Sequence, residues 1–147
     1  MNANGLADSA IATLAGFWEV NIINKYNSVG EPIETLMTGE VFGTAIEQIT
    51  TNQYSNGNKV KETTNDGSDV SITNYEFYLD KVNLSAKSEE AQGFNKANKN
   101  LMKKATYDDG SFDSYTYEFD ADGKVTKTTT TNSDTDVSSS QITWTCK

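Results

Sequence analysis

The chain has 147 residues, 35% of them hydrophobic, and its net charge of −9 includes twelve lysines but no arginine or histidine. That length fits a single domain spanning 1–147, large enough to bury a core. An acidic surface without arginine excludes phosphate-backbone recognition, so no nucleic-acid partner is expected, and it repels anionic membrane surfaces.

Residues 5 to 15 place Leu6, Ala10 and Leu14 on one helical stripe, with Gly16 where a helix would end. The spacing predicts a short N-terminal helix. From Trp18 the period changes. Trp18, Val20 and Ile22 alternate with Glu19, Asn21 and Ile23, which is the period of a strand. Residues 6 to 16 lack a basic leader and contain Asp8, so they predict neither a signal peptide nor a membrane span, and no transmembrane segment is expected.

The chain then reads as strands over 18–26, 34–43, 46–54, 59–65, 69–79, 101–108, 112–120, 124–131 and 138–146. Turn signals separate them, among them Asn56-Gly57, Asp66-Gly67, Asp109-Gly110 and Asp122-Gly123. Asn-Gly and Asp-Gly supply the positive φ angles of tight hairpins, and such short connections make neighbouring strands antiparallel. Pro32 sits in a turn, where it does not interrupt a ladder. Residues 84–100 break the rhythm: β-branched residues give way to Ala, Glu and Lys, which fits either a short helix or a long loop. Full closure would remove the edges of such a meander. The expected fold is therefore all-β, an up-and-down antiparallel β-barrel of 8–9 strands with a short N-terminal helix.

Gly16-Phe17-Trp18, at the head of the first amphipathic strand, resembles the opening of lipocalin-like, calycin-type barrels. In those proteins a short helix plugs one end and the tryptophan fills the barrel base. The resemblance covers this opening and the strand rhythm. It implies a carrier of small hydrophobic or amphipathic molecules, secreted or at the cell envelope. The chain departs from that pattern in having no arginine to stack on the tryptophan, a place that Lys127 or Lys147 could take. A second stretch, Tyr115-Thr-Tyr-Glu-Phe-Asp-Ala-Asp-Gly-Lys-Val-Thr-Lys-Thr-Thr129, resembles the tyrosine–aspartate hairpin repeats of large β-shell proteins. Two imperfect copies, counting Tyr54 to Thr63, are too few to stack into a shell.

Ring-bearing faces are the best candidates for a site. Tyr75, Phe77 and Leu79 share one face, as do Tyr115, Tyr117 and Phe119, and Ile142 shares one with Trp144. With Trp18, Val20 and Ile22, these would line a barrel interior able to take one small lipophilic molecule. Asp120-x-Asp122-Gly123 looks faintly like a calcium loop but lacks the terminal bidentate glutamate, so a hairpin turn is expected there. Asp108, Asp109 and Asp113 read as a solvated turn. Without histidine, acid–base chemistry would fall to carboxylates, lysines and tyrosines, and no pair stands out by spacing. The expectation is a non-catalytic protein with no cofactor and no metal. Cys146 alternates with Ile142 and Trp144 and reads as a small hydrophobe. The alternative is an interaction module whose Thr126–Thr131 surface meets a protein or glycan.

Overall fold

The computed structural model describes residues 7–14, 18–86 and 96–144. These form ten strands: β1 (Ser9–Leu14), β2 (Trp18–Tyr26), β3 (Pro32–Val41), β4 (Thr44–Ser55), β5 (Asn58–Asn65), β6 (Val70–Val82), β7 (Asn100–Tyr107), β8 (Phe112–Phe119), β9 (Val125–Asn132) and β10 (Val137–Gln141). All ten belong to one sheet in chain order, and each is antiparallel to its neighbours. The all-β antiparallel meander is therefore present.

Two expectations are corrected. Residues 9–14 are a strand rather than a helix, paired with β2 from Ser9↔Ile23 to Leu14↔Trp18. The same residues satisfy both periods, because Ala10 and Ala12 alternate with Ser9, Ile11 and Thr13 as well as lying along a helical stripe. Ladder bonds to a strongly amphipathic β2 decide between them, an interaction that no local pattern contains. Closure is the second correction. Among the described residues β1 pairs with β2 and β10 with β9, and the sheet stays open. Turn signals dictate which neighbours pair, but they carry no information about whether the two ends meet. The last strand ends at Gln141, short of the expected 146, although Ile142 N still donates to Thr126 O (2.8 Å), the position opposite it in the β9–β10 register. The expected break at 84–100 is present, since β6 ends at Val82 and β7 begins at Asn100; residues 87–95 lie outside the described residues. Gly16, Phe17 and Cys146 lie outside them too.

The two faces of the sheet differ. On β4, Ile46, Gln48, Thr50, Asn52 and Tyr54 are half-buried, while Ala45, Glu47, Ile49, Thr51 and Gln53 on the other face are exposed. Following the registers, the first, inner face continues through Trp18, Val20, Ile22 and Met37 on one side, and through Glu62, Tyr75, Ala105, Tyr115 and Thr130 on the other. The core is thin, as expected for a single layer. Among the described residues Val20, Leu101 and Ala105 are its buried hydrophobic members, and Glu31, Asn58 and Asn100 are buried alongside them.

Local chemistry accounts for the hairpins. Asn56 (φ 53°) and Gly57 (φ 79°) form the paired left-handed positions of a type I′ turn between β4 and β5. Asp120 carries the β8–β9 turn: its Oδ1 accepts from Asp122 N (3.0 Å) and Lys124 N (2.8 Å). Asp109 does the same for Ser111 N (2.8 Å) between β7 and β8. These carboxylates serve their own turns.

Candidate functional site

A cavity of about 400 Å³ lies on the inner face, at the end of the sheet where β6, β7, β8 and β9 meet the connection after Val82. Its origin is an irregularity in the β6–β7 pairing. The register runs regularly from Thr73↔Tyr107 to Glu76↔Lys104, shifts at Phe77↔Met102, and resumes only at Val82↔Asn100. Residues 78–81 therefore stand opposite Leu101 alone, and their carbonyls lose ladder partners. Buried oxygens of that kind cost free energy unless another donor reaches them.

Asn100 is that donor. Its Nδ2 gives hydrogen bonds to Leu79 O (3.2 Å) and Lys81 O (3.3 Å). Its backbone N donates to Asn58 Oδ1 (2.8 Å), and its Oδ1 accepts from Asn58 Nδ2 (3.0 Å). Asn58, at the start of β5, is 2% exposed. Asn98 extends the network by accepting from Lys59 N at Oδ1 (2.7 Å), and Lys99 N donates to Gly57 O (3.0 Å). A buried amide pair thus joins β5 to β7 past the distorted end of β6 and holds the cavity open.

The wall opposite is aromatic. Tyr117 Oη donates to Met102 O (2.8 Å), and Tyr78 Oη donates to Tyr115 O (3.0 Å). The Tyr78 and Tyr117 rings meet edge to face, with centroids 6.2 Å apart and planes at 81°. Trp144 closes one side, its Nε1 donating to Val125 O (2.8 Å). Burial, with a smaller contribution from Tyr115 and Tyr78, pushes the Tyr117 hydroxyl up to about 12, and burial followed by Asp113 raises Tyr115. Both hydroxyls stay protonated at neutral pH and can donate. Aliphatic groups from Val82, Leu84, Met102, Val125 and Ile142 fill the remaining lining, together with the Thr128 hydroxyl.

Of the residues singled out by sequence, Phe77, Tyr115, Tyr117, Ile142 and Trp144 line this cavity. Trp18, Val20 and Ile22 share the inner face but sit on β2, where they pair with Val41, Gly39 and Met37. Tyr75 also faces inward, beside Lys59, whose Nζ lies 5.3 Å from its ring centroid. Leu79 is 75% exposed, because the β6 irregularity takes it out of alternation with Tyr75 and Phe77. Phe119 packs against Tyr117 at 6.5 Å and beneath Lys81 at 5.1 Å, off the lining. Asn58, Asn98 and Asn100 had no signal beyond lying at a turn and at the end of the irregular stretch.

No family model matches the chain, and no curated protein matches it. Among solved structures, the fold is similar to a porin-like protein from Bacteroides uniformis, with a TM-score of 0.65 and 14% sequence identity. The alignment covers 95% of this chain and 64% of that protein, so the chain spans less than two thirds of its neighbour's length.

Proposed function

We propose that the protein binds a small, neutral, amphipathic molecule in this cavity without transforming it. What carries the reading is the lining, in which aromatic and aliphatic groups surround a few uncharged hydroxyls and amides. The volume lies within the range of about 300–1,000 Å³ typical of ligand pockets. Tyr115 and Thr128 offer hydroxyls for the ligand's polar end, whereas the Tyr117 hydroxyl and the Asn100 amide are already committed to the fold. None of the described lining residues is charged, which disfavours an ionic ligand and gives no acid–base pair for catalysis. The Gly16-Phe17-Trp18 resemblance adds no support to this carrier role, secreted or at the cell envelope, because the plug helix and closed barrel it implies are absent among the described residues.

The neighbour's name raises a membrane-spanning reading, and the outer face opposes it. Glu19, Lys25, Glu34, Glu40 and Glu47 project from β2–β4 on that side, where a lipid-facing barrel needs an apolar band. The interaction-module reading would rest on the outer-face residues of β9, Lys127, Thr129 and Thr131, which are half-buried, and the uncharged cavity lining favours the carrier over it.

The test uses the Trp18→Phe protein, which keeps Trp144 as its one indole. Titration with the neutral probe N-phenyl-1-naphthylamine should change Trp144 emission saturably and raise Tm. At about 100-fold excess over Kd the stabilisation should approach about 2.7 kcal/mol. Thr128→Phe, which fills the cavity, should remove both responses. An unsaturable signal, or one indifferent to Thr128→Phe, refutes the reading.

A further inference from the structure

The charge pattern across the sheet singles out its two ends. Each of the eight inner strands carries at least one charged residue, from Glu19 on β2 to Lys127 on β9, whereas β1 (Ser9-Ala-Ile-Ala-Thr-Leu14) and β10 (Val137-Ser-Ser-Ser-Gln141) carry none. That reverses the usual rule. Edge strands expose unpaired backbone donors and acceptors, and proteins guard them with charge, proline or bulges. Neither edge here has a charge or a proline, and the β1–β2 and β9–β10 ladders run without a register shift.

The two edges also match each other. They contain six and five residues. Because ten strands alternate in direction, β1 and β10 run oppositely, so β10 of one copy meets β1 of another in antiparallel sense. Each edge presents one large exposed aliphatic residue that is β-branched, Ile11 (69% exposed) and Val137 (67%). Following one face across the sheet, through Ile11↔Asn21↔Thr38↔Glu47, Thr51↔Thr63↔Ile72, Asn74↔Thr106↔Phe112 and Ser114↔Thr131↔Val137, puts both on the outer face. With the two strands fully overlapped, Ile11 and Val137 become diagonal neighbours on that face, close enough to stabilise an antiparallel pair. Asp8 and Asp136, just before the two strands, would lie at opposite ends of such a seam and would not repel each other. For a chain of net charge −9, an uncharged seam is where two copies can approach at least cost.

We infer that β1 of one copy pairs with β10 of a second copy, and the reverse, so that a two-fold dimer shares two equivalent seams. Two-fold pairing of this kind consumes all four edges, whereas β1 against β1 would leave both β10 edges open.

Sedimentation equilibrium of the intact chain should show a monomer–dimer equilibrium. Ile11→Lys and Val137→Lys should each raise the dissociation constant by roughly tenfold or more, with an unchanged circular dichroism spectrum because both positions are exposed. Mixing the two variants is the discriminating step. The mixed dimer has one wholly intact seam, from β10 of the Ile11→Lys copy to β1 of the Val137→Lys copy, so association should partly recover. A wild-type monomer at every concentration overturns the inference, as do open-ended polymers. So does full dimerisation of Val137→Lys alone, which would mean β1-to-β1 pairing.

Discussion

The β4–β5 hairpin and the β6–β7 pair are built from similar Thr- and Tyr-bearing strands, yet one is closed by two residues and the other by a long connection with a cavity beneath it. In β4–β5, Asn56 and Gly57 supply the turn, and the ladder runs from Ser55↔Asn58 to Ile49↔Asn65 with one shift. In β6–β7, pairing lapses between Phe77 and Val82, and a pair of buried asparagines takes over from the ladder. The first arrangement spends its hydrogen bonds on regularity. The second redirects them to side chains and gains a concave, uncharged space. Where a sheet departs from its own rules, a site is the first thing to look for.

If that division of labour is correct, the largest loss should follow removal of the Asn100 side chain. Asn100→Leu deprives Leu79 O and Lys81 O of a donor and leaves the buried Asn58 amide without its acceptor. Each unsatisfied buried group costs about 1–3 kcal/mol, so a total of about 3 kcal/mol is expected in urea denaturation. An effect below about 1 kcal/mol, which is typical of an average substitution, would remove the amide pair from the account. A double-mutant cycle sharpens the point. Asn58→Leu with Asn100→Leu should cost less than the sum of the single changes, with a coupling energy of about 0.5–3 kcal/mol.

The regular hairpin should be more forgiving. Gly57→Ala places a Cβ at φ 79° and 3.3 Å from Lys99 Cβ. The left-handed conformation costs a non-glycine residue roughly 1–2 kcal/mol, and Lys99 Cβ, on a backbone bonded to Gly57 O, must give by a few tenths of an ångström. Thermal melts should therefore rank Gly57→Ala below Asn100→Leu. Probe binding should survive the former and be lost with the latter, since only Asn100 lines the cavity.

The contrast also explains how much of the molecule could be read from its residues. Hairpins were legible wherever a turn is written in two adjacent residues, as at Asn56-Gly57 and Asp122-Gly123. Strand identity was legible wherever apolar and polar residues alternate strictly, as along Trp18–Ile22. Ser9–Leu14 misled because alanine-rich sequence fits a helical stripe and an alternating face equally, and the ladder to β2 lies outside any local window. Among the cavity-lining residues, alternation picked out Phe77, Tyr115, Tyr117, Ile142 and Trp144. It placed Leu79 with them because a four-residue irregularity in β6 leaves no trace in the spacing. Asn58 and Asn100 lie 42 positions apart, and neither residue type nor position announces a buried partner at that range.

The smallest expected effect at neutral pH, and the one that best separates the two regions, belongs to Tyr117. Tyr117→Phe removes one hydrogen bond to Met102 O, worth about 1 kcal/mol, and keeps the ring against Tyr78. Its alkaline behaviour is more telling. The hydroxyl titrates near 10 in an unfolded chain and is held up to about 12 by burial in the folded one. A raised folded value means that the unfolded chain gives up its proton first. The stabilising contribution is thus whole below pH 10 and disappears as pH climbs through the folded value near 12. Wild-type protein should lose stability across that window, and Tyr117→Phe should lose less. Tyr107, raised to about 12 chiefly by its hydrogen bond to Asp113, lies at the other end of β7 and should contribute equally in both proteins. Taking the difference between the two alkaline curves cancels it. A difference of zero would mean that the Tyr117 hydroxyl is solvated, and the wall it forms beside the cavity would then be wet.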